Sequence, residues 1–337
     1  MAQPIDRAAM IATLDGAAGM LDAAMTLGRS LGPQIDRVLF VAHGSANRAM
    51  LGFEYWIGHY SASLEVRRYF PSELMAQNPR RLDARTLVVI ASKSGTTTET
   101  VAAAEWLAGT PCRTVGFTLR ADSPLAGRVQ TCIAIGPTDE SFIGLFMVMQ
   151  ALVGGLLAAR DEWPLADKLI SSLRALPAAA ADAAAGNEAR AAQEARDWKD
   201  VRVLYQVAAG PVFTTAYVWG VCIVMEMLRL HSTPLEAAEF FHGPFEVVDR
   251  ETPLVLLLGE DPSRPLMERV VRFCDKHAGR VIAYDSRDFA MPGIDPAIRP
   301  IVAPYILQAA VKRISAHLST LLARPLDERR YIWKGGY

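Results

Sequence analysis

The run Leu87-Val88-Val89-Ile90 narrows the fold more than any other segment of this chain. It is apolar without alternation, and such a strand is stable only where both faces of a sheet are covered. It empties into Ser92-Lys93-Ser94-Gly95-Thr96-Thr97, which is followed by a helical pattern from Thr98 to Leu107. Strand, loop and helix in that order make half of a parallel β-α-β unit. The loop is dense in hydroxyls: Ser92, Ser94, Thr96 and Thr97 can each donate a hydrogen bond, and Gly95 allows a sharp turn. The first amides of the helix are unpaired and point the same way. The arrangement suits a phosphate, and it equally suits plain helix capping, for which Ser and Thr are common choices.

The same plan recurs along the chain. Strand signals stand at Val38–Val41, Leu87–Ile90, Thr114–Thr118 and Cys132–Ile135, and again at Val201–Val207, Pro253–Leu258 and Arg280–Tyr284. The second set repeats the spacing of the first roughly 165 residues later, which predicts a duplicated lobe. The fold class is therefore α/β, with two tandem lobes, each a mainly parallel sheet flanked by helices. The expected division is an N-terminal helix over 1–30, a first lobe over 31–170, a linker helix over 171–198, a second lobe over 199–325 and a tail over 326–337. The Ala-rich stretch from Pro177 to Arg196 reads as an exposed connecting helix rather than core.

If the lobes are related, Gly259-Glu260-Asp261-Pro262-Ser263-Arg264 takes the place of the hydroxyl loop in the second one. Its two carboxylates would repel an anion, so one phosphate site per chain is expected. Ligands of open parallel sheets bind beyond the carboxyl ends of the strands, which also brings in Ala42-His43-Gly44-Ser45. Gly44 and Ser45 are the expected second wall, while His43 reads as a loop residue without chemistry.

Charge narrows the partners. With 35 basic and 36 acidic residues the net charge is −1, and there is no excess to draw nucleic acid or an anionic membrane surface. A small-molecule partner is favoured. Cys112, Cys132, Cys222 and Cys274 are scattered, which fits a reduced, cytoplasmic setting and neither a disulfide framework nor a zinc site. Met1 to Met25 mixes Asp and Arg among Ala and Leu, an amphipathic helix in place of a signal peptide. The apolar stretch from Gly144 to Ala159 is interrupted by Gln150 and reads as too short to span a bilayer.

Two ionisable residues stand out downstream. Glu226 is the lone charge in the apolar helical stretch Val218 to Leu228. Desolvation there would disfavour its ionised form and suit it to general-base work; an ion pair with Arg229 or Lys199 is the structural alternative. His242 lies between aromatic residues and Gly243-Pro244, which places it on a rigid turn rather than within a helix.

Together these residues resemble the tandem sugar isomerase (SIS) domain family, including the isomerase half of glucosamine-fructose-6-phosphate aminotransferase. Ser92-Lys93-Ser94-Gly95-Thr96-Thr97 is similar to that family's phosphate loop, Gly44-Ser45 to its first Gly-Thr/Ser loop, and His242-Gly243-Pro244 to its His-Gly-Pro signature. In the family a catalytic glutamate precedes that histidine by sixteen residues, and the same count from His242 reaches Glu226. The resemblance thus implies Glu226 and His242 as catalytic residues, with Gly44, Ser45, Ser92, Lys93, Ser94, Gly95 and Thr97 holding the sugar phosphate. It implies no cofactor and no metal, and a homodimer whose histidine reaches the neighbouring site.

Two departures refine the expectation. No glutaminase-like segment precedes the first lobe, so glutamine-dependent amination is not expected. Ala238-Glu239-Phe240-Phe241-His242-Gly243-Pro244-Phe245-Glu246 sits nearer the fructosamine 6-phosphate deglycases than the aminotransferase. The implied substrate is then a fructose–amino acid 6-phosphate such as fructoselysine or fructose-asparagine 6-phosphate. An amino-sugar or ketose/aldose phosphate isomerase or deaminase is the alternative, and a sugar-phosphate-binding regulator a further one. Glu140, in a loop that lacks the family's Ser-Thr-Lys motif, and Lys334, in an aromatic and basic tail, are additional candidate contacts.

Overall fold

The computed structural model describes residues 1–332 and Lys334. The chain forms two compact units: Ala8–Pro177 with Gly293–Ile298, and Met1–Arg7 with Ala178–Pro292 and the chain from Arg299 onward.

The first unit holds a five-stranded, wholly parallel sheet: β1 (Arg37–Ala42), β2 (Glu65–Tyr69), β3 (Thr86–Ala91), β4 (Arg113–Thr118) and β5 (Thr131–Ala134). The order is β2-β1-β3-β4-β5. Every residue of β1 and β3 is buried, as an unbroken apolar run demands of central strands. The second unit has β6 (Val203–Ala208), β7 (His231–Glu236), β8 (Pro253–Leu258) and β9 (Arg280–Asp285), also parallel, in the order β7-β6-β8-β9. That is the order of the first four strands repeated, so the duplication inferred from spacing extends to topology.

Strands β2 and β7 carry no strand signal in the sequence, and both are edge strands. β2 is Glu-Val-Arg-Arg-Tyr, mostly solvated, and β7 contains Pro234, which cannot donate to a ladder. The helix expected from Thr98 to Leu107 spans those residues. The N-terminal segment expected as one helix is three, Arg7–Ala12, Asp15–Gly19 and Leu21–Leu31, interrupted near Leu14 and Met20.

The exposed linker helix is a misreading. The segment forms the helices Ala166–Gly186 and Glu188–Trp198, and Ala179, Ala180, Ala181, Ala183, Ala184, Ala191 and Ala195 are all buried. A methyl side chain lets backbones approach closely, so an Ala-rich helix packs as readily as it solvates. The apolar stretch expected to end at Ala159 is also longer than thought. The helix runs from Ser141 to Arg160, long and apolar enough by length and composition to cross a membrane, yet Ile143 through Leu157 are buried inside the protein as core. The segment Arg7–Gln34 passes the same test of length and composition, with a third of its apolar window buried.

Sheet β7-β6-β8-β9 is covered on both faces. Val255 and Leu257 of β8 join one core with Trp219, Ile223, Val224 and Leu228; Leu254, Leu256 and Leu258 join the other with Ala237, Phe240 and Met267. Alternation along β8 puts these cores on opposite faces. Trp219 and Phe240 are fully buried, and truncating either to Ala would cost about 3–5 kcal/mol.

Candidate active site

β1 and β3 are neighbours, yet their connections leave in opposite directions, β1 to β2 at one edge and β3 to β4 toward the other. That reversal opens a crevice at the carboxyl ends of the two strands, where ligands of doubly wound sheets sit. Ala42 pairs with Ala91, so His43-Gly44-Ser45 and Ser92 to Thr97 leave the sheet side by side, about 5 Å apart.

The hydroxyl loop is internally braced. Ser92 Oγ accepts from the Gly95 amide at 3.1 Å and shares a 2.9 Å hydrogen bond with Thr97 Oγ1. Ser94 Oγ accepts from the Thr96 amide at 3.2 Å and its hydroxyl at 2.8 Å. Leu119 N–H donates to the Lys93 carbonyl at 3.1 Å and ties the loop to the chain after β4. Gly95 has φ +69°, and a Cβ there would stand 2.3 Å from the Ser123 side chain, so both backbone and space require glycine. Ser92 is buried, whereas Lys93, Ser94 and Thr96 are exposed. The helix start after Thr97 has no side-chain cap, and Gly44, at φ +55°, opens the helix Gly44–Tyr60 without one. Two uncapped helix N-termini at one crevice favour an anion. His43 stacks on Phe70, with ring centres 5.8 Å apart.

The corresponding crevice of the second unit, between β6 and β8, is filled by the chain itself. Asp261 is buried and its Oδ1 accepts from the Ser263 amide at 2.9 Å and the Ser263 hydroxyl at 2.5 Å. Glu260 is bound by Arg299 at 3.0 and 3.1 Å, and Arg264 pairs with Asp285. A carboxylate thus stands in this loop where the first unit presents hydroxyls.

Glu226 ends an unusual helix. Phe213–Tyr217 is α-helical and Val218–Met225 continues it as a π-helix, with Glu226 N–H bonding Val221 O and Leu228 N–H bonding Ile223 O. Wide turns of this kind are rare and concentrate at functional sites. The helix closes at Arg229, with φ +56°, whose successor Leu230 donates to Val224 O at 3.1 Å. Glu226 is not the isolated carboxylate that its neighbours in sequence imply. Arg329 Nε donates to its Oε1 at 2.8 Å, in place of the Arg229 or Lys199 considered from proximity. The Arg329 side chain is 9% exposed and that of Glu226 32%. Arg324 donates to the Leu228 carbonyl at 2.6 Å, and Arg229 meets Glu328 at 3.5 Å, so residues 324–329 form a strap across the helix end. An open groove of about 470 Å³ lies against the strap, lined by Pro325, Asp327, Glu328, Arg329, Ile332 and Lys334. The tail residues Trp333, Gly335, Gly336 and Tyr337 lie outside the described residues.

His242 is exposed on a tight turn, its amide bonded to Glu239 O at 2.9 Å. Its neighbour Phe240 packs in the core on the opposite face of the sheet from Ile223 and Val224, which precede Glu226. One chain thus carries the two candidate catalytic groups on elements that pack on opposite faces of one sheet. Glu140 stands at the N-cap position of Ser141–Arg160 after the edge strand β5, without a side-chain cap, its amide bonded to Thr138 Oγ1 at 3.0 Å. Sequence reasoning missed Arg329 and also Glu236, a half-buried carboxylate at the carboxyl end of β7 that desolvation pushes up to about 7. Among the described residues, no three His, Cys, Asp or Glu side chains gather as a metal-binding group.

No family model matches the chain. It is 32% identical over 308 residues to fructosamine deglycase FrlB of Bacillus subtilis, a match that covers 91% of this chain and 94% of that one. It is 33% identical over 302 residues to the agropine synthesis conjugase of Rhizobium rhizogenes, covering 87% and 84%. The solved structure of a candidate phosphosugar isomerase from Bacillus subtilis superposes with a TM-score of 0.90 at 31% identity, over 95% of this chain and 99% of that one. A doubly wound sheet repeated in two units, an uncapped hydroxyl loop at the first crevice and near end-to-end similarity agree: the chain belongs to the fructosamine deglycase family of tandem sugar isomerase proteins.

Proposed function

We propose that the protein is a deglycase that converts a 1-amino-1-deoxy-fructose 6-phosphate into glucose 6-phosphate and a free amine or amino acid. The observation that carries this reading is the near full-length similarity to fructosamine deglycase FrlB, in a chain whose first sheet ends in a hydroxyl-rich loop. The 6-phosphate is held by Ser92, Ser94 and Thr97, by the amides that follow them and by Gly44 and Ser45, with Lys93 adding positive charge at the rim. His242 acts as acid or base in opening the sugar ring. Glu226 removes a proton from C1 to give an enaminol and returns one to C2, leaving an aldimine at C1 that water hydrolyses to the aldose and the amine. Protons balance over the cycle, and the only co-reactant is water. Lys334, on the groove beside Arg329, and Glu140 are further candidate contacts.

Glu226 and His242 pack on opposite faces of the sheet in one chain, and the histidine is exposed, which supports a homodimer in which each site takes its histidine from the partner. Four free cysteines suit action in the reducing cytoplasm. The test is incubation of the purified protein with fructoselysine 6-phosphate, fructose-asparagine 6-phosphate and glucosamine 6-phosphate, assaying glucose 6-phosphate and fructose 6-phosphate. Glucose 6-phosphate from either of the first two supports the reading, whereas fructose 6-phosphate from the third alone replaces it with a deaminase. Because one relative is named as a conjugase, glucose 6-phosphate is also incubated with free lysine; condensation without measurable cleavage would reverse the assigned direction.

A further inference from the structure

We propose that Arg329 is a positioning residue for the proton transfer, fixing the Glu226 carboxylate in its working orientation. The inference rests on the reading of Glu226 as the proton-transfer group. Its basis is the construction around the pair. An arginine side chain that is 9% exposed donates through Nε to Glu226 Oε1 at 2.8 Å. The same guanidinium is fixed from behind, since its Nη1 donates to the carbonyls of Leu326 at 2.6 Å and Glu328 at 3.3 Å. The strap that carries it is fixed in turn: the Arg324 amide donates to Ser319 O at 2.9 Å, Ser319 Oγ donates to Arg324 O at 2.8 Å, and Leu326 packs on the core that holds Trp219. The strap therefore meets Glu226 as a rigid support.

A buried arginine is expensive to desolvate, and a helix end needs only carbonyl partners, which Arg324 already supplies at Leu228. Closing the helix does not explain placing a second guanidinium on the carboxylate. Orienting that carboxylate does. A charge-assisted hydrogen bond to one carboxylate oxygen fixes the side chain's rotamer and directs the other oxygen. The residue touches Glu226 rather than the substrate, so it acts through that side chain.

The experiment measures glucose 6-phosphate release from fructoselysine 6-phosphate by E226Q, R329A, R329K and the double variant R329A/E226Q, each checked by thermal melting. The expected result for R329A is a kcat lower by about 10- to 100-fold with KM within about threefold. Added guanidinium or ethylguanidinium at millimolar levels then restores a saturable part of the kcat of R329A and none of the double variant's. R329K falls between, since an ammonium keeps the charge without the planar fork. Wild-type kcat in folded R329A alongside an inactive E226Q overturns the role of Arg329 alone, and so does a raised kcat, which would make the strap an inhibitory clamp. An active E226Q overturns the reading of Glu226 and this inference with it. Should R329A not fold, R329K carries the test, with wild-type kcat again the contrary result.

Discussion

Glu236 shows how one residue's surroundings set its proton affinity. Its carboxyl ends β7 half-buried, and desolvation raises it from 4.5 to about 7. In the unfolded chain the group ionises near its ordinary value. The folded state therefore binds more protons than the unfolded one between about pH 4.5 and pH 7, and stability falls as pH rises through that window. Discounted for the solvent that still reaches the side chain, the cost above pH 7 is on the order of 1 kcal/mol. E236Q should therefore melt higher than the wild type at pH 8, with the difference closing toward pH 4.5; a difference independent of pH would place the effect in packing. The sixteen-residue spacing to His242 singled out Glu226 as a candidate, but nothing in the sequence pointed to its ion-pair partner. Arg329 is 103 positions away, and sequence proximity offered nearer cations that the fold turns elsewhere.

Among elements, β3 and its loop were legible because an unbroken apolar run and a hydroxyl cluster have few alternative uses. The edge strands were not. β2 and β7 lie at the margins of their sheets, where charged residues and proline are tolerated, so neither carries the apolar signal of a central strand. Ala-rich helices failed for a related reason, since alanine suits both a solvated helix and a tightly packed one. The hydroxyl loop carries two predictions. Ser94 is exposed, so S94A should leave the melting temperature unchanged while KM rises about 10-fold or more, as expected for one lost hydrogen bond to a charged group. G95A, by contrast, forces a Cβ to within 2.3 Å of Ser123 at φ +69° and should lower both stability and substrate affinity. Inorganic phosphate should raise the melting temperature of the wild type and not that of G95A.

At the scale of the molecule, the second sheet repeats the order of the first four strands of the first, but the loops at the two crevices differ: hydroxyls in the first, Asp261 and Ser263 in the second. The second unit repeats the architecture with a carboxylate in the loop where the first has hydroxyls. The second sheet instead carries Glu226 and His242, on elements that cover opposite faces. Mixing inactive E226Q with inactive H242A should therefore regain activity, up to about a quarter of the wild type for random exchange into dimers, as one site in each mixed dimer becomes intact. No recovery after verified subunit exchange would place both groups in the site of a single chain.

The central claim is that Glu226 moves the proton between C1 and C2. The direct measurement is steady-state release of glucose 6-phosphate from fructoselysine 6-phosphate by the wild type and by folded E226Q. A positioned carboxylate typically contributes about 10²- to 10⁴-fold, so kcat should fall by at least 10²-fold with KM within about threefold. Retention of more than about a tenth of wild-type kcat by E226Q would contradict the claim.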